Sequence, residues 1–181
     1  MKSPRLLIAL LAASALAALP TAALAANVTA TGTLTGSTLS LSTSATPSFS
    51  ANLNEGDSTP TYTVPLTIQD TRGTGAGWNA TITSTTFTTG TVSLATNASS
   101  LTGVTNVCAS GTCTNPTNSI TYPVAVPAAT TAPTAVKFFN AAANTGMGKF
   151  TTTPTIGVFV PQSSTAGTYT STLTIAIVSG P

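Results

Sequence analysis

The chain has 181 residues, and only 4% of them are charged: five Lys or Arg, three Asp or Glu and no His. An ordinary soluble domain carries roughly 25% charged residues. A chain this neutral has no electrostatic footprint for nucleic acid or anionic lipid. Without histidine, most general acid–base and metal chemistry also lacks its side chains, so no cofactor and no metal site is expected.

From the start of the chain, Lys2 and Arg5 precede a Leu- and Ala-rich apolar run, Leu6–Leu19, that ends at Pro20. Ala23-Leu24-Ala25 then gives the small–x–small pattern of a cleavage site. The run falls short of the ~20 residues a membrane helix needs. This predicts a signal peptide over 1–25 and one domain over 26–181 with no transmembrane segment. No cysteine follows the leader to carry a lipid anchor, so the chain is expected to be secreted to the extracellular surface.

Residues 26–181 hold 40 Thr and 17 Ser. The threonines alternate with apolar residues, and in a strand such alternation buries one face and leaves a row of hydroxyls on the other. Val28–Thr35 and Thr38–Ser42 have this period. Tyr62–Ile68 has it too, with Pro65 marking an edge or a bulge. Further strands are expected at Trp78–Thr86, Thr89–Ala95, Ser119–Val126, Ala135–Phe139, Thr151–Val160 and Gly167–Val178. Turns are expected at Asn54–Ser58, Gly73–Gly77, Thr112–Asn118 and Pro161–Gly167, with a single helical turn possible in Asn140–Gly148. Eight or nine short strands separated by turns predict an all-β fold, a single antiparallel β-sandwich of Ig-like or jelly-roll-like type. The last strand puts Leu173, Ile175 and Ile177 on one face, which predicts a central, buried strand.

Cys108 and Cys113 are the only cysteines. In an exported chain they are expected to form a disulfide that staples a turn. Nucleophilic catalysis has little to draw on, because a serine needs a nearby base and only Lys137, Lys149 and three acids are available. Glu55 and Asp57 read as solvated turn residues, with a calcium site as the alternative. Gly73–Gly77 leads into a strand, so it reads as a turn and not as a phosphate loop. Asn27, Asn79 and Asn97 each begin an N-x-Ser/Thr triplet. The chain is expected to be no enzyme.

One constellation stands out. Asp70-Thr71-Arg72-Gly73, a short loop and Gly77-Trp78-Asn79-Ala80-Thr81 are followed near the C-terminus by Ala166-Gly167-Thr168-Tyr169, Leu173-Thr174-Ile175-Ala176-Ile177 and Pro181. This order resembles the WxL-type cell-wall-binding surface domains. In that family Asp-x-Arg-Gly precedes Gly-Trp-x-Leu, and a Tyr followed by Leu-Thr-Trp-Thr-Leu and a closing proline makes the second motif. Ala80 stands here in place of the family Leu, and Ile175 in place of the second Trp. The resemblance implies a bacterial surface protein associating non-covalently with cell-wall polysaccharide or peptidoglycan, with Trp78, Asp70, Arg72 and Tyr169 as candidate ligand-binding residues.

The residues alone leave alternatives open. Trp78 reads as a core anchor between sheets, or as a sugar-stacking platform if its face is exposed. Asp70 and Arg72 share one side of an extended segment and are placed to pair as a clamp over the loop. The neutral strands also suit a different partner, other surface proteins or a second copy of the chain. The protein would then be a subunit of a fibre, pilus or matrix assembled by strand exchange.

Overall fold

A computed structural model describes residues 29–181. The leader assigned to 1–25 and the triplet beginning at Asn27 lie outside the described residues. Ten strands are present among them: β1 (Leu39–Ser42), β2 (Thr61–Thr63), β3 (Leu66–Asp70), β4 (Trp78–Thr85), β5 (Ser99–Thr114), β6 (Val124–Ala125), β7 (Ala128–Ala129), β8 (Val136–Ala141), β9 (Met147–Val158) and β10 (Leu173–Ser179). Six form one sheet in the order β1-β3-β9-β5-β6, with β2 also on β9. Four form the other in the order β10-β4-β7, with β8 also on β4. All pairings are antiparallel except the short parallel contact of β4 with β7. The sheets pack face to face as a sandwich, as the alternating pattern predicts.

Alternation explains the core. Leu66 and Ile68 of β3, Leu101 of β5 and Ile156 of β9 point inward from the first sheet. Trp78, Ala80 and Ile82 of β4 with Phe138 and Phe139 of β8 meet them from the second. Burying each large side chain contributes about 1.5–3 kcal/mol. A smaller cluster of Leu94, Ala98, Val158 and Val160 lies at one end, with Phe49, Phe87 and Tyr169 packed against it. Hydroxyls predominate on the opposite face, beside exposed Lys149 and Val107. Thr67 of β3 is opposite Thr151 of β9, Thr63 opposite Thr155 and Thr105 opposite Thr153, so rows of β-branched hydroxyls cross the outer side of the six-stranded sheet.

Several elements depart from the periodic reading. Pro65 splits Tyr62–Ile68 into β2 and β3, both on β9, because proline cannot continue the ladder. Thr89–Ala95 is a tight loop instead of a strand. The Thr88 hydroxyl donates to the Val92 carbonyl (3.0 Å) and accepts from the Gly90 N–H (3.0 Å), so side chains satisfy the backbone locally. Ser119–Val126 keeps only β6, since the Asn118 carboxamide accepts from the Ile120 and Asn140 N–H groups and holds this stretch away from a ladder. In Asn140–Gly148, β8 runs on to Ala141, a turn follows, and β9 has begun by Met147.

β5 escaped the pattern altogether. Its register slips against β9 between Leu101 and Gly103, between Cys108 and Ser110, and between Ser110 and Thr114. Bulges of this kind shift the inward and outward parity that alternation relies on. The Cys108–Cys113 disulfide forms, but it cinches the widest bulge inside β5 and does not staple a turn between strands. β10 is also corrected. It is the edge of its sheet, paired only with β4, and Leu173, Ile175 and Ile177 are half-buried where a central strand was expected.

Candidate functional site

Asp70 ends β3 with the same inward parity as Leu66 and Ile68, so the strand carries a carboxylate into the rim of the core, where it is 3% exposed. Such a charge is tolerable only when paired and hydrogen-bonded. Arg72 supplies both. Its Nε donates to Asp70 Oδ1 (2.9 Å) and its Nη2 to Oδ2 (2.8 Å), a two-pronged fork, while its backbone N–H also donates to Oδ1 (3.2 Å). The guanidinium hydrogen bonds hold the Asp70 carboxyl below the usual carboxylate range, outweighing the opposite pull of burial.

The rest of the guanidinium reaches across the sandwich. Nη2 also donates to the Gly77 carbonyl (2.8 Å), just before β4, and Nη1 donates to the Ser179 hydroxyl at the end of β10. The Gly180 N–H donates to the same Gly77 carbonyl (3.1 Å), and the Asn79 carboxamide to the Gly180 carbonyl (2.9 Å). One arginine thus joins the ends of β3, β4 and β10, closing the two sheets on each other. Asn79 is buried in this clasp, which leaves its N-x-Thr triplet without an accessible carboxamide.

Trp78 is fully buried and packs at 5.6 Å from Phe139, with its Nε1 donating to the Gly146 carbonyl (2.9 Å). A ring so enclosed has no free face for stacking on a sugar, so the core-anchor reading describes its place. Gly146 has φ +70° and lies against the indole, and a Cβ there would sit 2.7 Å from Nε1. Tyr169 lies far from this cluster in the fold. Its hydroxyl donates to the Thr165 carbonyl (2.9 Å), and its ring helps wall an open groove of about 1020 Å³ along β10. Phe49, Tyr62, Val64, Phe87, Leu94 and Leu173 also line the groove, and no Asp, Glu, Lys or Arg does. Burial pushes the Tyr62 phenol up to about 12. The structure therefore brings Asp70, Arg72 and Trp78 to one end of the sandwich and sets Tyr169 apart.

The other acids hold turns. Glu55 accepts from the Asn52 carboxamide (3.0 Å), whose oxygen caps the 3-10 turn Leu53–Glu55, and Asp57 accepts from the Gln162 N–H (2.8 Å). Among the described residues, no three His, Cys, Asp or Glu side chains gather to hold a metal ion. No helix among them is long and apolar enough to cross a membrane.

The model of the family described as the WxL domain, surface cell wall-binding, matches residues 30–181. The chain belongs to the WxL family. Membership places this WxL protein at the cell surface, in a family that binds the cell wall. No curated protein and no solved structure matches it. The two motif regions of the WxL pattern meet in space through Arg72, Gly77 and Ser179. Ile175, where the pattern has its second Trp, lies on the groove wall, and Ala80 is buried opposite Phe139 on β8. Sequence reasoning missed Ser179, Gly180 and Gly146 as partners of this cluster. The glycine just past β10 and the asparagine–threonine–glycine turn before β9 were the only local signals for two of them.

Proposed function

We propose that this WxL protein is a secreted, non-enzymatic bacterial surface protein, a single domain over 26–181 once a leader over 1–25 is removed. It associates non-covalently with wall polysaccharide or peptidoglycan. The observation that carries the reading is the family match over 30–181. The contact surface we assign is the outer side of the six-stranded sheet. There Ser42, Thr67 and Thr151 form one row, Thr153 and Thr105 another, and Thr63 and Thr155 a third. Neighbouring strands lie ~4.8 Å apart, and same-face residues recur every ~7 Å along each strand. Lys149 continues the outward line of Thr151 and Thr153 along β9, and exposed Val107 stands opposite Thr151, so the face offers mostly hydroxyls with one cation and one apolar side chain to the hydroxyl and amide groups of a glycan chain.

Asp70, Arg72 and Trp78 serve this face indirectly, by fixing the frame it is stretched on. The engagement of all three acids in caps and clasp supports the non-enzymatic part of the reading. Isolated cell walls mixed with the purified chain should retain it in the pellet. Replacing Thr67, Thr151 and Thr153 together with Val, which keeps the β-branch and removes the hydroxyls, should release most of it without lowering the melting temperature appreciably. No retention of the native chain, beside a known wall binder that is retained, would sink the proposal.

A further inference from the structure

One charge among the described residues has no partner. Their charged side chains are Glu55, Asp57, Asp70, Arg72, Lys137 and Lys149. Asp70 and Arg72 hold each other, Glu55 accepts from Asn52, and Asp57 accepts from the Gln162 N–H. Lys137 Nζ donates to the Pro181 carbonyl (3.0 Å). Lys149 Nζ alone makes neither an ion pair nor a hydrogen bond among the described residues, and its side chain is exposed.

Its surroundings are ordered and polar. β9 alternates, so Lys149 shares the outward side of the sheet with Thr151, Thr153 and Thr155. Across the ladders Gln69 of β3 stands opposite Lys149 on one side and Ser110 of β5 on the other, with Ser40 of β1 beyond Gln69. Ser40 and Ser110 are exposed and Gln69 is half-buried. The backbone under this row is pinned. Ser110 lies inside the ring closed by Cys108–Cys113, and Gly148 packs so closely on that disulfide that a Cβ would sit 2.9 Å from Cys113 Sγ. The acid in the adjoining register, Asp70 opposite Gly148, is turned inward and forked to Arg72, so it does not neutralise Lys149.

We propose that Lys149, with Gln69 and Ser110 beside it, is an anion-binding position on the hydroxyl face. It takes a singly charged oxyanion, a carboxylate or a phosphodiester, carried by a wall polymer. The inference rests on the wall reading and adds a charge requirement to it. An ammonium with three unused donors favours an oxyanion over a neutral hydroxyl. The Gln69 carboxamide and the Ser110 hydroxyl supply further donors in the same row. Thr151 and Thr153, ~7 Å and ~14 Å further along β9, then meet the hydroxyl and amide groups of the same polymer. An exposed contact of this kind is modest in strength and screened by salt.

The test measures binding to isolated cell walls. Lys149→Gln should weaken it about fivefold, Lys149→Glu should weaken it further, and Lys149→Arg should restore it. The native chain should lose the same increment on going to about 0.5 M salt, while Lys149→Gln should respond little. All three variants should melt with the native chain, because the side chain is exposed. Walls stripped of phosphodiester polymers with hydrofluoric acid, and walls with amidated carboxyls, separate the two sources. Whichever treatment brings native binding down to that of Lys149→Gln names the oxyanion. Native binding unchanged by both treatments would overturn the proposal, as would a loss that Lys149→Arg does not recover. Lys149→Gln held as firmly as the native chain, with the same salt response, would overturn the anion position and leave the wall reading standing. A native chain that is not retained at all would take down both.

Discussion

The two ends of the β10 edge are built by opposite means. Beside Ser179 the sheets are tied by a fork of charged hydrogen bonds from Arg72 to Asp70, Gly77 and Ser179. Beside Leu173 they part around half-buried aromatic rings, with Phe49 stacked at 6.0 Å on Tyr62 and edge-on at 5.4 Å to Phe87. Directional contacts fix one geometry, whereas apolar contacts accept many. The frame is thus tied by directional bonds at one end and by apolar packing alone at the other.

The hardest blow to this comparison is Arg72→Ala. It leaves the Asp70 carboxylate buried without its partner and should cost about 3–5 kcal/mol in urea unfolding. Arg72→Lys should recover only part of the loss, because an ammonium cannot fork to carboxylate, Gly77 and Ser179 together. A cost below ~1 kcal/mol for Arg72→Ala would show that the clasp is ornamental.

pH separates the two ends by sign. Asp70 has a lowered folded pKa, so its contribution is present above the ordinary carboxylate value and is lost as pH falls through the folded one. Tyr62 has a folded pKa raised to about 12, so its contribution is whole below about 10 and is lost as pH rises toward the folded value. Burial also raises the Tyr122 phenol, away from the groove, so melting temperature should be level from about pH 5 to 9, then fall in acid through the clasp and in alkali through Tyr62 and Tyr122 together. Asp70→Asn should flatten the acid limb, and Tyr62→Phe should shrink the alkaline one to the part that Tyr122 carries. A melt that swings across neutral pH would contradict both assignments.

Smaller effects probe regions beside these ends. Reducing Cys108–Cys113 should cost about 2 kcal/mol, since the ring it closes is short. The loss should appear as faster exchange in the outer half of β5 and leave the clasp protected. Leu173→Ala, at the half-buried groove wall, should cost only about 1–2 kcal/mol, well under the 2–5 typical of a fully buried leucine. A larger loss would mean the groove is closed in solution.

What could be read in advance followed short-range physics. Leu66, Ile68 and Asp70 share a parity visible in the sequence, and so does the pairing of Asp70 with Arg72 two residues on. The disulfide was legible from compartment and spacing, but its seat within β5 was not, because Gly103, Gly111 and the bulges broke the period. Thr89–Ala95 misled because a threonine hydroxyl can serve a local turn as readily as its β-branch suits a strand. Period two assigns faces and says nothing of neighbours, so it could not show that β10 stands at an edge. Ser179 lies 107 residues from Arg72, beyond any local pattern. For the two bulky motif residues, Trp78 and Tyr169, no local pattern told which way the side chains face: Trp78 is buried between the sheets, and Tyr169 walls the groove.

That separation also sets a clock. At ~5–20 residues per second of synthesis, the interval between Arg72 and Ser179 amounts to roughly 5–20 s during which the guanidinium has no third strand to hold. β4 waits as long for β10, its antiparallel neighbour. A sandwich whose closing bonds come from β10 stays open until that strand has been made.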